Sequence, residues 1–223
     1  APTEIYTLSL HDALPIFMRG CTRGCRFCQA GAAYRPVRER STEVLVGQAR
    51  EILTNTGAEE ISLVSLSTTD HSDIQALVEA LLEVCEPLQV NVSLPSLRVD
   101  AMDIGLAERL ATVRKGGMTL APEAGTQRLR NVINKQVTEL SLLEATEAAF
   151  EAGWNTIKLY FMLGLPTETD EDLLGIADLA RKVHAQGRAL RGGRAQVNVS
   201  VATFVPKPHT PYQWLGQIPR DEI

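Results

Sequence analysis

Three cysteines within eight residues are the part of this chain best suited to chemistry. They lie in Gly20–Cys21–Thr22–Arg23–Gly24–Cys25–Arg26–Phe27–Cys28–Gln29–Ala30–Gly31, with the spacing C-x3-C-x2-C. Three thiolates on one short loop can converge on three irons of a cubane [4Fe–4S] cluster. Such a site leaves one iron without a protein ligand, open to a small chelating molecule much as an open zinc position takes water or substrate. Gly20, Gly24 and Gly31 let the backbone wrap closely and take positive φ angles. Three plainer readings compete. Buried structural cysteines at this spacing are one, and a zinc site with a distant fourth ligand is another, although zinc sites usually come as paired C-x2-C units or with histidines. An electron-transfer cluster is the third, and it would usually have four cysteines. The fourth cysteine here, Cys85, sits late in a helical segment before Glu86–Pro87 and reads as a small buried hydrophobe.

A loop of this kind needs a rigid frame, and the rest of the chain supplies the pattern of one. Short β-branched or apolar runs occur at Ile61–Ser67, Val90–Leu94, Gly117–Ala121, Thr156–Leu163 and Gln196–Phe204. Between them, helical periodicity predicts helices over Thr42–Thr54, Ser72–Cys85, Met102–Arg114, Thr126–Asn134, Ser141–Ala152 and Asp170–Ala185. Caps and acids at Thr42, Asp70 or Ser72, Thr138–Ser141 and Thr169–Asp172 mark helix starts. Gly57, Gly116, Gly153 and Gly187 mark stops. Strand–helix alternation implies one α/β domain with a parallel sheet covered by helices, and ligands on the loops at the carboxyl ends of the strands.

Composition narrows the class. The 223 residues carry a net charge of −5, which gives no general attraction for nucleic acid or anionic membrane. The local basic runs Arg35/Arg38/Arg40 and Arg188/Arg191/Arg194 read as solvated faces. No apolar run reaches the roughly 20 residues of a membrane span, and the start is not a secretory signal. Clustered cysteines without a disulfide framework point to a reducing, cytoplasmic setting. Residues 1–16 fit no element well, and Thr3–Ile16 resembles a translated sequencing adapter. Native sequence is therefore expected to begin near Phe17 or Met18, with residues 17–223 as the core and Ile218–Ile223 reading as a chain cut short.

The cysteine spacing, with an aromatic residue before the last cysteine and (βα) repeats after it, resembles the radical S-adenosylmethionine (SAM) superfamily over about residues 17–218. The run Gly20–Ser41 is most similar to members that carry a cobalamin-binding domain before the core. The resemblance implies a partial (β/α)6 TIM-like barrel of parallel strands with outer helices, and the cluster loop after the first strand. It also implies reductive cleavage of SAM to methionine and a 5′-deoxyadenosyl radical that abstracts a substrate hydrogen. Cys21, Cys25 and Cys28 would hold the cluster and Phe27 would flank the adenine. The loop Ser65–Asp70 stands where many members have a Gly-Gly-Glu turn for the SAM amino group; Ser67 and Thr68 would substitute there, against a simple helix cap by Thr69 or Asp70. Ser93, Ser96 and Arg98 lie near the end of the third strand, with Arg98 facing SAM, the substrate or solvent. Glu123 would accept the ribose hydroxyls, or cap the following helix. Arg128, ahead of Arg130, would reach the SAM carboxylate. Gly164 and Pro166 match a G-x-P turn that approaches the adenine. Pro206, Pro208 and Pro211 stiffen a loop in which His209 reads as a loop residue, and His71 reads in the same way. An electron donor such as flavodoxin or ferredoxin and a substrate are the implied partners, and cobalamin is implied only through a domain outside this chain. Two other functions stand beside this one, a non-catalytic Fe–S or zinc module and a methylthiotransferase-like modifier of RNA or protein.

Overall fold

The computed structural model describes residues 12, 13, 16–93 and 117–222. The helix expected over Met102–Arg114, the candidates Ser96 and Arg98, and the stop at Gly116 lie outside the described residues, as does most of the first sixteen. In chain order the elements are β1 (Asp12–Ala13), β2 (Met18–Arg19), α1 (Gln29–Ala33), β3 (Arg38–Glu39), α2 (Thr42–Thr56), β4 (Glu60–Ser62), α3 (Ile74–Cys85) and β5 (Asn91–Ser93). They continue with β6 (Met118–Glu123), α4 (Gln127–Val132), α5 (Glu139–Glu151), β7 (Thr156–Leu163), α6 (Asp170–Arg191) and β8 (Gln196–Thr203).

Among the described residues six strands are parallel, in two sets of three. One has the order β1-β4-β5, extended by a bridge between Ile16 and Val64, and the other has the order β6-β7-β8. With helices between successive parallel strands within each set, the architecture is an α/β partial barrel, and no closed barrel forms among the described residues. An antiparallel pair, β2 with β3, stands apart from the expected pattern.

The sequence of β7 shows why these strands form. In TIKLYFML, Ile157, Leu159 and Phe161 alternate with Lys158, Tyr160 and Met162. The first set is buried against Leu142, Ala145 and Ala149 of α5 and Ile176, Leu179 and Val183 of α6. Those helical positions recur every three to four residues, so each helix turns one stripe to the sheet. A buried Leu, Ile or Phe stabilises by roughly 1.5–3 kcal/mol, far more than intrinsic helix preference per residue. The first sheet has its own core, in which Phe17, Ile61 and Leu63 pack on Leu45 and Ala49 of α2 and Leu77, Leu81 and Cys85 of α3.

One helix end departs from the sequence expectation. Gly187 does not stop α6, which continues to Arg191 and ends at Gly192, with φ 61°. Packing explains the difference: a methyl group at Gly187 would lie 2.5 Å from the Phe150 ring, so this glycine lets α6 and α5 approach. Gly57 does cap α2 in the left-handed conformation. The caps at Thr138 with Ser141 and at Thr169 with Asp172 form as capping boxes.

Candidate active site

The cysteine loop leaves β2 and returns to β3, so the antiparallel pair clamps its neck. Gly20 takes φ 94°, and a side chain there would strike the Tyr34 carbonyl; no other residue fits that turn. Cys21, Cys25 and Cys28 are of intermediate exposure, and none is in a disulfide. The loop is tied down from two sides. From one side, Arg23 forms an ion pair with Asp70 of the loop after β4, its Nε donating to Asp70 Oδ2 at 2.9 Å. From the other, the turn after α4 holds it: Arg26 N donates to the Ile133 carbonyl at 3.0 Å, and Asn134 Nδ2 donates to the Gly24 carbonyl at 2.9 Å. Phe27 packs on a small apolar cluster of Ala124, Leu129, Ile133, Leu165, Phe204 and Tyr212, which joins the carboxyl ends of β6, β7 and β8 to the loop.

A cavity of about 660 Å³ opens beside Cys28, lined by Phe27, Gln29, Tyr34, Met162, Phe204 and Val205 among others. That volume lies within the range of small-molecule sites. Glu123 ends β6 at a register shift, with φ 69°. Lys135 Nζ lies 3.3 Å from Glu123 Oε1, and the two side chains are only 14% and 17% exposed. Burial pushes the Glu123 carboxyl above its usual range, and the Lys135 charge opposes that rise.

The other residues singled out in the sequence fall into two groups. Ser67 and Thr68 are buried, but their hydroxyls are engaged, Ser67 donating to Asp70 at 2.7 Å and Thr68 sharing a hydrogen bond with Ser65 at 3.0 Å. Ser93 ends β5, with its carbonyl accepting from Leu63 N. Arg128 points its guanidinium to the Thr167 carbonyl and the Asp172 carboxylate. Burial pushes Asp172 up, but hydrogen bonds from Thr126, Arg128 and Thr169 outweigh it and hold that carboxyl below its usual range. Arg130 is fully buried and donates to the Ala124 and Gly125 carbonyls, so it braces the loop that follows Glu123. Gly164 donates its N–H to Glu168 at 2.7 Å, and Ile218 packs where its side chain would be; Pro166 follows in the same turn. His71 is a buried structural residue: its Nδ1 accepts from Asp73 N, which leaves Nε2 to donate to the Arg40 carbonyl at 3.1 Å. His209 is an exposed loop residue. Cys85 lies in the first core, where burial pushes its thiol up to about 11.

Sequence reasoning missed Asn134, Lys135, Arg23 and Asp70 as parts of the site. The available signal was the Asn134–Lys135 pair just past a short helix, since asparagine readily takes the left-handed turn that it adopts here, with φ 54°. The three thiols share one loop, fixed from both sides and next to a cavity, and thiolates are the donors a cubane cluster takes; among the described residues no group of three is gathered as a metal site.

Comparison with known proteins decides the family. The profile of the Radical SAM superfamily matches residues 15–180. The chain belongs to the radical SAM superfamily. It is therefore an enzyme core of that superfamily, which implies a [4Fe–4S] cluster, SAM, a reductant and a substrate. An uncharacterized protein of Methanocaldococcus jannaschii is 36% identical over 195 residues, or 87% of this chain and 41% of that protein. The ribosomal protein uS12 methylthiotransferase RimO of Pelotomaculum thermopropionicum is 26% identical over 170 residues, or 71% of this chain and 37% of that one. The chain thus spans well under half of these relatives. Among solved structures, the radical S-adenosylmethionine methyltransferase TsrM from Kitasatospora setae, with cobalamin and a [4Fe-4S] cluster bound, superposes with a TM-score of 0.70 at 14% identity, covering 91% of this chain and 38% of that one. The cobalamin-dependent SAM radical enzyme OxsB gives 0.68 at 15% identity, covering 90% and 34%. At such identities the likeness concerns the fold. No helix among the described residues is long and apolar enough to cross a membrane.

Proposed function

We propose that Cys21, Cys25 and Cys28 hold a [4Fe–4S] cluster, and that SAM bound in the adjoining cavity is reductively cleaved to a 5′-deoxyadenosyl radical for hydrogen abstraction. The observation that carries this reading is the pairing of the three-cysteine loop with the cavity that begins at Cys28. The cofactor supplies the electron and the radical precursor; the protein holds, orients and encloses it. Cys21, Cys25 and Cys28 supply thiolates. Phe27 anchors the loop in the apolar cluster and presents its backbone to the cavity. Glu123 accepts hydrogen bonds from the ribose hydroxyls, and Lys135 favours the charged form of that carboxylate. Ser67, Thr68 and Ser93 contribute backbone groups near the amino acid end. Gly164 and Pro166 shape the turn that follows β7. Arg128 stands at the rim, already engaged by Asp172.

The partners of this reading are an electron donor of the flavodoxin or ferredoxin type and a cytoplasmic setting. Cobalamin enters only through a domain outside this chain, a possibility supported by the fold likeness to TsrM and OxsB. A methylthiotransferase role is the second reading, favoured by the identity to RimO. It requires a second cluster, and with Cys85 in the core that cluster's ligands would come from outside this chain.

The test is electron paramagnetic resonance of the anaerobically reconstituted, reduced chain. A four-iron signal that changes on adding SAM, and changes at least tenfold less at the same SAM concentration in Glu123→Gln, is the expected result. A signal indifferent to saturating SAM contradicts the assignment.

A further inference from the structure

The face of β7 that meets the helices is wholly apolar, but its opposite, interior face is not. Strand register sets Thr119 beside Lys158 and Lys158 beside Asn198, and two residues further on it sets Tyr160 beside Ser200. In a packed barrel such inward positions are filled by layers of branched aliphatic side chains. Here all five are polar. Tyr160 is 37% exposed, so this wall borders open space.

Lys158 Nζ lies 4.6 Å from the centre of the Tyr160 ring. A cation–π contact steers an ammonium group without neutralising it. Among the described residues, no carboxylate forms an ion pair with Lys158. Met162 and Ala202, the next interior pair along the same strands, line the cavity at Cys28. With a rise of about 3.3 Å per residue, Lys158 lies roughly 13 Å along β7 from that cavity, with Tyr160 halfway.

We propose that this wall is the anion-binding site for the substrate, Lys158 taking a carboxylate or phosphate while Tyr160, Asn198, Ser200 and Thr119 bond the polar atoms beside it. The proposal rests on the radical SAM reading above and deepens it. The substrate class is a small organic anion whose charged group sits on Lys158 and whose reacting C–H reaches the cavity, a span on the order of 10 Å by the same strand rise.

The chain has five lysines, so reductive ¹³C-methylation of the intact chain gives few resonances, and Lys158→Arg identifies the one from Lys158. Inorganic phosphate and, separately, acetate are titrated at an ionic strength held constant with chloride. The expected result is a saturable shift of the Lys158 resonance at a concentration at least fivefold below that affecting exposed Lys182. Saturation by phosphate alone assigns a phosphoryl group, by acetate alone a carboxylate, and by both an anion of either kind. Asn198→Leu, on the interior face beside Lys158, is expected to raise the half-saturation point at least threefold. A Lys158 resonance that moves no further than that of Lys182 overturns the proposal. The readout needs no SAM cleavage, so its failure leaves the radical SAM reading standing.

Discussion

At the scale of single residues, the site depends on one turn that serves two neighbours. Asn134 holds the Gly24 carbonyl of the cysteine loop, and the next residue, Lys135, faces Glu123. Glu123 was legible in the sequence as a carboxylate at a strand end, but its partner was not, because it lies 12 positions further on, past a whole helix. Burial raises the Glu123 carboxyl, so it binds its proton at higher pH than a free glutamate. The linked folding stability is full below the unfolded value and is lost as pH rises through the folded one. In the proposed reading, ribose binding by Glu123 runs the other way, because it needs the ionised form and weakens as pH falls through that folded value. Lys135→Met removes the charge that opposes the rise, so the acid limb of SAM affinity, read by equilibrium dialysis across pH, is expected to move to higher pH. Superimposable profiles for variant and parent would show that Lys135 plays no part in Glu123 ionisation.

At the scale of elements, strand–helix alternation was readable wherever one face of an element is buried. The bounds of β7 match the expected Thr156–Leu163 because its apolar alternation is uninterrupted. The β2–β3 pair was not legible: two residues per strand carry no period, and the pairing spans the whole cysteine loop. Gly187 misled because its glycine character serves helix packing rather than termination. That distinction has a sign. Helix propensity alone makes Gly187→Ala stabilising by about 1 kcal/mol. Overpacking against Phe150 costs about 1–3 kcal/mol, so the variant is expected to lower the denaturation midpoint in urea. A raised midpoint would contradict the packing account.

At the scale of the whole molecule, the open partial barrel brings separate segments to one place. The cysteine loop follows β1 and β2, Glu123 ends β6, and the residues of β7 and β8 line the cavity and the polar wall below it. No local window of sequence contains that arrangement; the family resemblance supplied it in outline, and the apolar cluster around Phe27 gives it a physical cause. Arg128 marks the limit of sequence reasoning, because its nearness in sequence to Glu123 did not reveal that Asp172 of α6 engages it. The central claim is that this assembled site cleaves SAM. The most direct measurement is 5′-deoxyadenosine formed by the anaerobically reconstituted chain with SAM and dithionite, compared with Cys25→Ala. Product from the parent and none above background from the variant is the expected result. A parent chain that carries a full four-iron cluster yet yields no more 5′-deoxyadenosine than the variant contradicts it.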